Sequence, residues 1–129
     1  MKKIFLLVAA ALYLSSCSKC DDQNDFICTQ EFRMVTIKVK SQGDENVTLD
    51  SAYTIRQSTN QKIRPEQQAG TDYYVVLDDS YHPQLKNKED NFRFVGWKNN
   101  QVVVDQVYRI GGDNCHISKK SGADSVTLQ

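Results

Sequence analysis

The sequence predicts an all-β domain, an antiparallel β-sandwich, with a closed barrel as the runner-up. Three observations lead there. From residue 30 onward, β-branched and aromatic residues alternate with polar ones at period two, in short runs. Turn residues separate these runs at the spacing of seven or eight strands in about a hundred residues, the cue for a sandwich. Helical spacing never sustains itself, and half-polar strands suit sheets with one face packed and the other wet.

The first segment is not part of that domain. Lys2 and Lys3 form a basic start, residues 4–14 are an apolar run, and Ser15 and Ser16 precede Cys17, as in a secretory signal peptide. As a helix the run would span about 16 Å, half the hydrocarbon core of a bilayer, so it reads as an export signal and not a membrane span. Leu14-Ser15-Ser16-Cys17 resembles the lipobox of bacterial lipoproteins. That resemblance implies cleavage after residue 16 and acylation of Cys17, and so a partner in the lipid bilayer. The alternative is an ordinary cleavage site with Cys17 left as a plain thiol.

The expected organisation is therefore a signal peptide over residues 1–16, a lipidated cysteine and flexible tether over 17–27, and a β-sandwich over 28–129. The tether is polar and acidic, Ser18-Lys19-Cys20-Asp21-Asp22-Gln23-Asn24-Asp25, and ten such residues reach about 17–19 Å. A lysine followed by two acidic residues just after the lipidated cysteine resembles the surface-export signal of Bacteroidetes-type lipoproteins, interrupted here by Cys20. The other reading is a solvated acidic linker. Together these place the protein in the cell envelope, at the outer membrane, with the surface as a further expectation.

Without residues 1–16 the chain keeps 113 residues, one domain's worth, with 14 basic and 16 acidic side chains. That near balance argues against a nucleic-acid partner, which needs a basic face. Lipidation of Cys17 leaves Cys20, Cys28 and Cys115, hence one bridge and one spare thiol. Cys28–Cys115 is the expected pair, because both flank ordered-looking segments while Cys20 lies in the tether. No Cys-x-x-Cys occurs among these three, and only His82 and His116 could join them, so no metal is expected.

The strands follow in order. Residues 31–40 put Val35, Ile37 and Val39 on one face, then stop at Ser41-Gln42-Gly43-Asp44. Residues 47–56 put Val47, Leu49, Tyr53 and Ile55 against Thr48, Asp50, Thr54 and Arg56, and the two runs are expected to pair through the Gly43 turn. Residues 61–64 form a marginal strand ended by Pro65, and residues 73–78 a stronger one with Tyr73, Val75 and Leu77 on one face. Residues 80–91 read as a loop. Residues 92–98 and 102–110 read as a hairpin around Asn99-Asn100, with Val102, Val104, Tyr108 and Ile110 inward and Asp105 and Arg109 outward. Gly111-Gly112 is expected to turn the chain into last strands over 115–119 and 125–129, and Trp97, Phe92, Phe94 and the tyrosines to fill the core.

The run from Phe32 to Lys40, the stretch Val47-Thr48-Leu49-Asp50-Ser51-Ala52-Tyr53-Thr54-Ile55, and the closing Asp113-Asn114-Cys115-His116-Ile117-Ser118-Lys119-Lys120-Ser121-Gly122 resemble the prealbumin-like or carboxypeptidase-regulatory-like domains of Bacteroidetes-type lipoproteins. The resemblance implies a Greek-key sandwich of the immunoglobulin or prealbumin kind and no defined chemistry, since that fold hosts carriers, adhesin stalks and ligand binders alike. Asp50-Ser51-Ala52 and Asp124-Ser125-Val126 resemble the O-glycosylation triplet of exported proteins of the same group, which marks Ser51 and Ser125.

Enzyme motifs are absent from the sequence. It holds no Gly-x-Ser-x-Gly elbow, no His-Glu-x-x-His and no glycine-rich phosphate loop. Cys115 and His116 are adjacent and would face opposite ways on a strand, so a bridged Cys115 beside an outward His116 is expected. Asp78, Asp79, Glu89, Asp90, Asp105 and Asp113 sit where turns and wet faces belong. The sequence therefore predicts a membrane-anchored, non-enzymatic lipoprotein with no catalytic residue and no cofactor. Its expected work is to bind a protein or glycan partner or, alternatively, to serve as a structural subunit of an envelope complex without its own ligand, with an uncharacterised enzyme as the third reading.

Overall fold

In the computed structural model, residues 26–129 are described; the signal segment, Cys17 and Cys20 lie outside them. Eight strands form the fold: β1 Met34–Lys40, β2 Ser51–Arg56, β3 Gln61–Ile63, β4 Tyr74–Asp78, β5 Glu89–Lys98, β6 Gln101–Gly112, β7 Ile117–Ser121 and β8 Ser125–Thr127. They make two sheets, β4-β1-β8 and β3-β2-β5-β6-β7. The fold is all-β and sandwich-like, as expected, with every pairing antiparallel except β1 with β8.

The core lies between the sheets. Ile37, Val39, Val76 and Leu77 from the small sheet meet Phe92, Phe94, Val104, Tyr108 and Ile110 from the large one, all essentially inaccessible. Each such large apolar side chain contributes about 1.5–3 kcal/mol by leaving water. Trp97 lies elsewhere. It pairs across β2–β5 with exposed Ser51, on the outer face that also carries Tyr53, and stands half-buried outside the core.

The longest pairing is the β5–β6 hairpin. Asn99 and Asn100 turn it with φ of 51° and 60°, the left-handed pair that a two-residue turn needs to match strand twist. Val104, Tyr108 and Ile110 point inward as expected, but Val102 is 46% exposed. The register slips between Gly96 and Trp97, so that Trp97 faces Val102 and Val103 becomes the additional residue.

Four further expectations are corrected. Residues 31–40 and 47–56 do not form a hairpin: after one bridge between Lys40 and Asn46 the chain crosses to the other sheet. The Tyr74 hydroxyl supports that crossing, accepting from Leu49 N–H at 2.7 Å and donating to the Val47 carbonyl. On β2 the expected faces are reversed, with Thr54 wholly buried and Tyr53 and Ile55 half-buried. Thr54 pairs across β2–β5 with Phe94, whose side chain lies in the core, and a bulge in β4 supplies the Thr54 hydroxyl with a partner. The register passes from Val35–Leu77 to Thr36–Val75, leaving Val76 out of the ladder, and its carbonyl accepts the Thr54 hydroxyl at 2.7 Å. Residues 80–91 are not all loop: a 3-10 turn, Asp79–Tyr81, and one helical turn, α1 His82–Leu85, precede a β5 that begins at Glu89.

Gly111 and Gly112 end β6 instead of turning the chain. A Cβ on Gly112 would lie 2.7 Å from the Leu85 carbonyl oxygen, so glycine is what lets α1 and the residues after it lie against the strand end. Asn87 N–H donates to Gly112 O and Gly112 N–H to Lys88 O, closing that contact.

Candidate functional site

At the start of the described residues, the segment 26–33 is fastened to the sandwich by three different bonds. The first is covalent. Cys28 and Cys115 form the expected disulfide, Cα to Cα 5.3 Å, across 87 residues of sequence. The second is a chain of side chains: the Thr29 hydroxyl lies 3.1 Å from His116 Nε2, and His116 Nδ1 lies 2.7 Å from Asp79 Oδ2. The third is backbone to side chain, Arg33 N–H donating to the same carboxylate oxygen at 2.7 Å.

His116 was expected to face outward, and it does not: only 7% of it is accessible. Cys115 and His116 lie in the bend before β7 and their side chains diverge, one to the bridge and the other to Asp79. The loop before β7 sets that direction. Asp113 Oδ1 accepts from the backbone N–H groups of Cys115 and His116, and Asp113 N–H donates to the His116 carbonyl. His82, from α1, donates Nε2–H to the Asp113 carbonyl at 2.9 Å.

Asp79 is the electrostatic centre of the arrangement. Burial pushes its pKa up, but N–H donors from Arg33 and Ile117, with the His116 ring, more than offset this and hold the carboxyl below its ordinary range. An ionised Asp79 requires the proton on His116 Nδ1. In a neutral ring Nε2 is then a lone-pair acceptor for the Thr29 hydroxyl. The Asp113 carboxyl is also lowered, by the His116 and Cys115 N–H groups.

Two cavities flank this point. An open one of about 340 Å³ is lined by Phe26, Ile27, Thr29, Arg33, Asn114 and His116, among others. A groove of about 590 Å³ runs beside β1 and β7, touching Glu31, Thr36, Tyr73, Ser118, Lys119 and Asp124. Since β8 pairs only with Lys38–Lys40, the first half of β1 has no strand on that side. Phe26, Ile27 and Phe32 are 62%, 95% and 60% exposed here, an apolar trio rare for a wet surface.

The remaining predicted residues are dispersed. Ser51 and Ser125 are exposed first residues of β2 and β8, on different sheets. Of the carboxylates, Asp79 and Asp113 both contact His116, while Asp78 caps the 3-10 turn through Ser80 N–H, Asp90 pairs with Arg56 at 2.6 Å and with Ser58, and Asp105 meets Arg93. Among the described residues no three His, Cys, Asp or Glu side chains are grouped to hold a metal, and no helix is long and apolar enough to cross a membrane. The Thr29–His116–Asp79 array was missed by sequence reading. Half of it was within reach, since bridging Cys28 to Cys115 brings their successors Thr29 and His116 side by side; nothing local announced Asp79. Compared with known proteins, the chain matches no family model, no curated protein and no solved structure.

Proposed function

We propose that the chain is a lipoprotein of the cell envelope, held at the outer membrane through acylated Cys17, whose sandwich binds a protein or glycan partner. The observation that carries the binding reading is the groove along the unpaired half of β1, whose backbone groups are open to an added strand or a polar ligand. The exposed Phe26 and Ile27, nine and ten residues after Cys17, suit a segment that lies against lipid.

Cys17→Ala should abolish palmitate labelling and release the protein from membranes; labelling that persists removes the anchor. A photo-crosslinking side chain at Tyr73, which borders the groove, should capture a partner in intact cells. Capture of soluble glycan or of varied proteins supports the binder. One envelope protein in equal amounts supports the structural subunit instead, and protease shaving of whole cells decides whether surface partners come into play.

A further inference from the structure

We propose that Thr29, His116 and Asp79 form an acyl-transfer centre that cleaves small uncharged carboxylic esters, with Thr29 as nucleophile, His116 as general base and Asp79 as the residue that positions the imidazole. This goes beyond the binding reading and does not rest on it. The geometry is that of an activated hydroxyl: nucleophile to base 3.1 Å, base to carboxylate 2.7 Å, within the reach that such a pair requires. The carboxylate is itself fixed by two backbone N–H groups, from Arg33 and Ile117. The imidazole has little freedom, being almost wholly buried with its backbone N–H tied to Asp113. Such an orienting group is what separates a triad from a chance contact.

The array also opens onto space. Thr29 and His116 line the 340 Å³ cavity together with Arg33 and Asn114, while Phe26 and Ile27 supply its apolar wall. The Arg33 guanidinium has only a loose partner, Glu31 at 3.7 Å. Asp113 lines the same cavity, so the charges of Arg33 and Asp113 offset each other and an uncharged substrate fits best. An ester is favoured over an amide because its leaving alkoxide needs less protonation.

The step balances without any co-reactant but water. Thr29 Oγ1 bonds to the ester carbonyl carbon as its proton passes to His116 Nε2, and the carbonyl electron pair moves to oxygen, facing Arg33 and Asn114. Collapse breaks the bond to the alkoxy oxygen, which takes the proton from Nε2. Water then attacks the acyl-Thr29 with the same base, releasing the carboxylic acid and restoring the hydroxyl.

The test uses the purified chain with the Cys28–Cys115 bridge intact and p-nitrophenyl butyrate as probe. The expected result is release of p-nitrophenolate with a butyryl adduct on the peptide containing Thr29. Thr29→Val, which keeps the volume and removes the hydroxyl, should lose the adduct and slow release by about 10²-fold or more, whereas Thr29→Ser keeps both. Asp79→Asn should depress the rate and alter its pH profile with Thr29 still in place. Equal rates for wild type and Thr29→Val, or an adduct on another residue only, would overturn the proposal and leave the array as a structural pin. Unfolding curves of Thr29→Val and wild type guard against misreading lost folding as lost chemistry.

Discussion

The two ends of this sandwich are held in opposite ways. At the Asn99-Asn100 end, β5 and β6 pair from Lys98–Gln101 back to Glu89–Gly111, broken only by the bulge at Val103. Its ladder joins two consecutive strands and the asparagines take up the turn conformation, with Asp50 accepting from Asn99 N–H and Lys98 donating to the Thr48 carbonyl as the longer-range contacts. At the Cys28–Cys115 end the chain has no long ladder. Cys28 meets Cys115, Thr29 meets His116, and Arg33 and His116 meet Asp79, partners 37 to 87 residues apart. The ladder distributes its stability over many equivalent backbone bonds, so single changes cost little. The clamp concentrates it in a few unlike bonds, each of which can be broken alone.

The widest test of that contrast is the bridge. Replacing Cys28 and Cys115 by serine should lower stability by roughly 4–5 kcal/mol on the chain-entropy account of a loop this long, seen as a lower urea midpoint that reductant no longer affects. Amide exchange should then quicken across residues 26–33 before the hairpin; simultaneous loss at both ends would erase the distinction. Next comes the bond that joins the sheets. Thr54→Val keeps the shape and strands the Val76 carbonyl in the core, a loss of about 1–3 kcal/mol by urea unfolding.

In the hairpin, Asn100→Val forces a β-branched residue to a φ of 60° and should cost about 1–2 kcal/mol, the most that a single change there is expected to do. Acid probes the clamp more gently. Asp79 and Asp90 titrate below the ordinary 3.8 in the folded state, because hydrogen bonds and, for Asp90, Arg56 override the upward push of burial. Their contribution is present above about pH 4 and is lost as pH falls through the depressed values. The urea midpoint should therefore drop between pH 5 and pH 2, and Asp79→Asn should shrink that drop. The smallest effect belongs to Arg93–Asp105 on the outer face, half-exposed on both sides. Arg93→Ala should leave the midpoint unchanged, as screened surface pairs do.

The same division decides what could be read from sequence. The hairpin was legible because alternation and a two-residue asparagine turn are local facts. The bridge was legible by counting, once Cys17 was set aside. The inward turn of His116 was not, because it depends on a carboxylate 37 residues upstream and on the Asp113 loop. Nor was the reversed face of β2: Thr54 looks like a solvent residue until the bulge at Val76 offers it a carbonyl. Trp97 misled for a related reason, since an aromatic on a ten-residue strand looks equally suited to either face, and only the pairing with Ser51 and Val102 places it outside.

The Cys28–Cys115 bridge also sets a mechanical path. A pull between Ile27 and Gln129 passes from Cys28 straight through sulfur to Cys115, and β1 to β6 carry none of it as extension. Only the fourteen residues after Cys115 could be drawn out, about 46–50 Å at roughly 3.3–3.6 Å per residue. Residues 28–115 form a closed covalent ring, so under such a pull the domain would yield by peeling β8 and then β7 while its hairpin stayed slack.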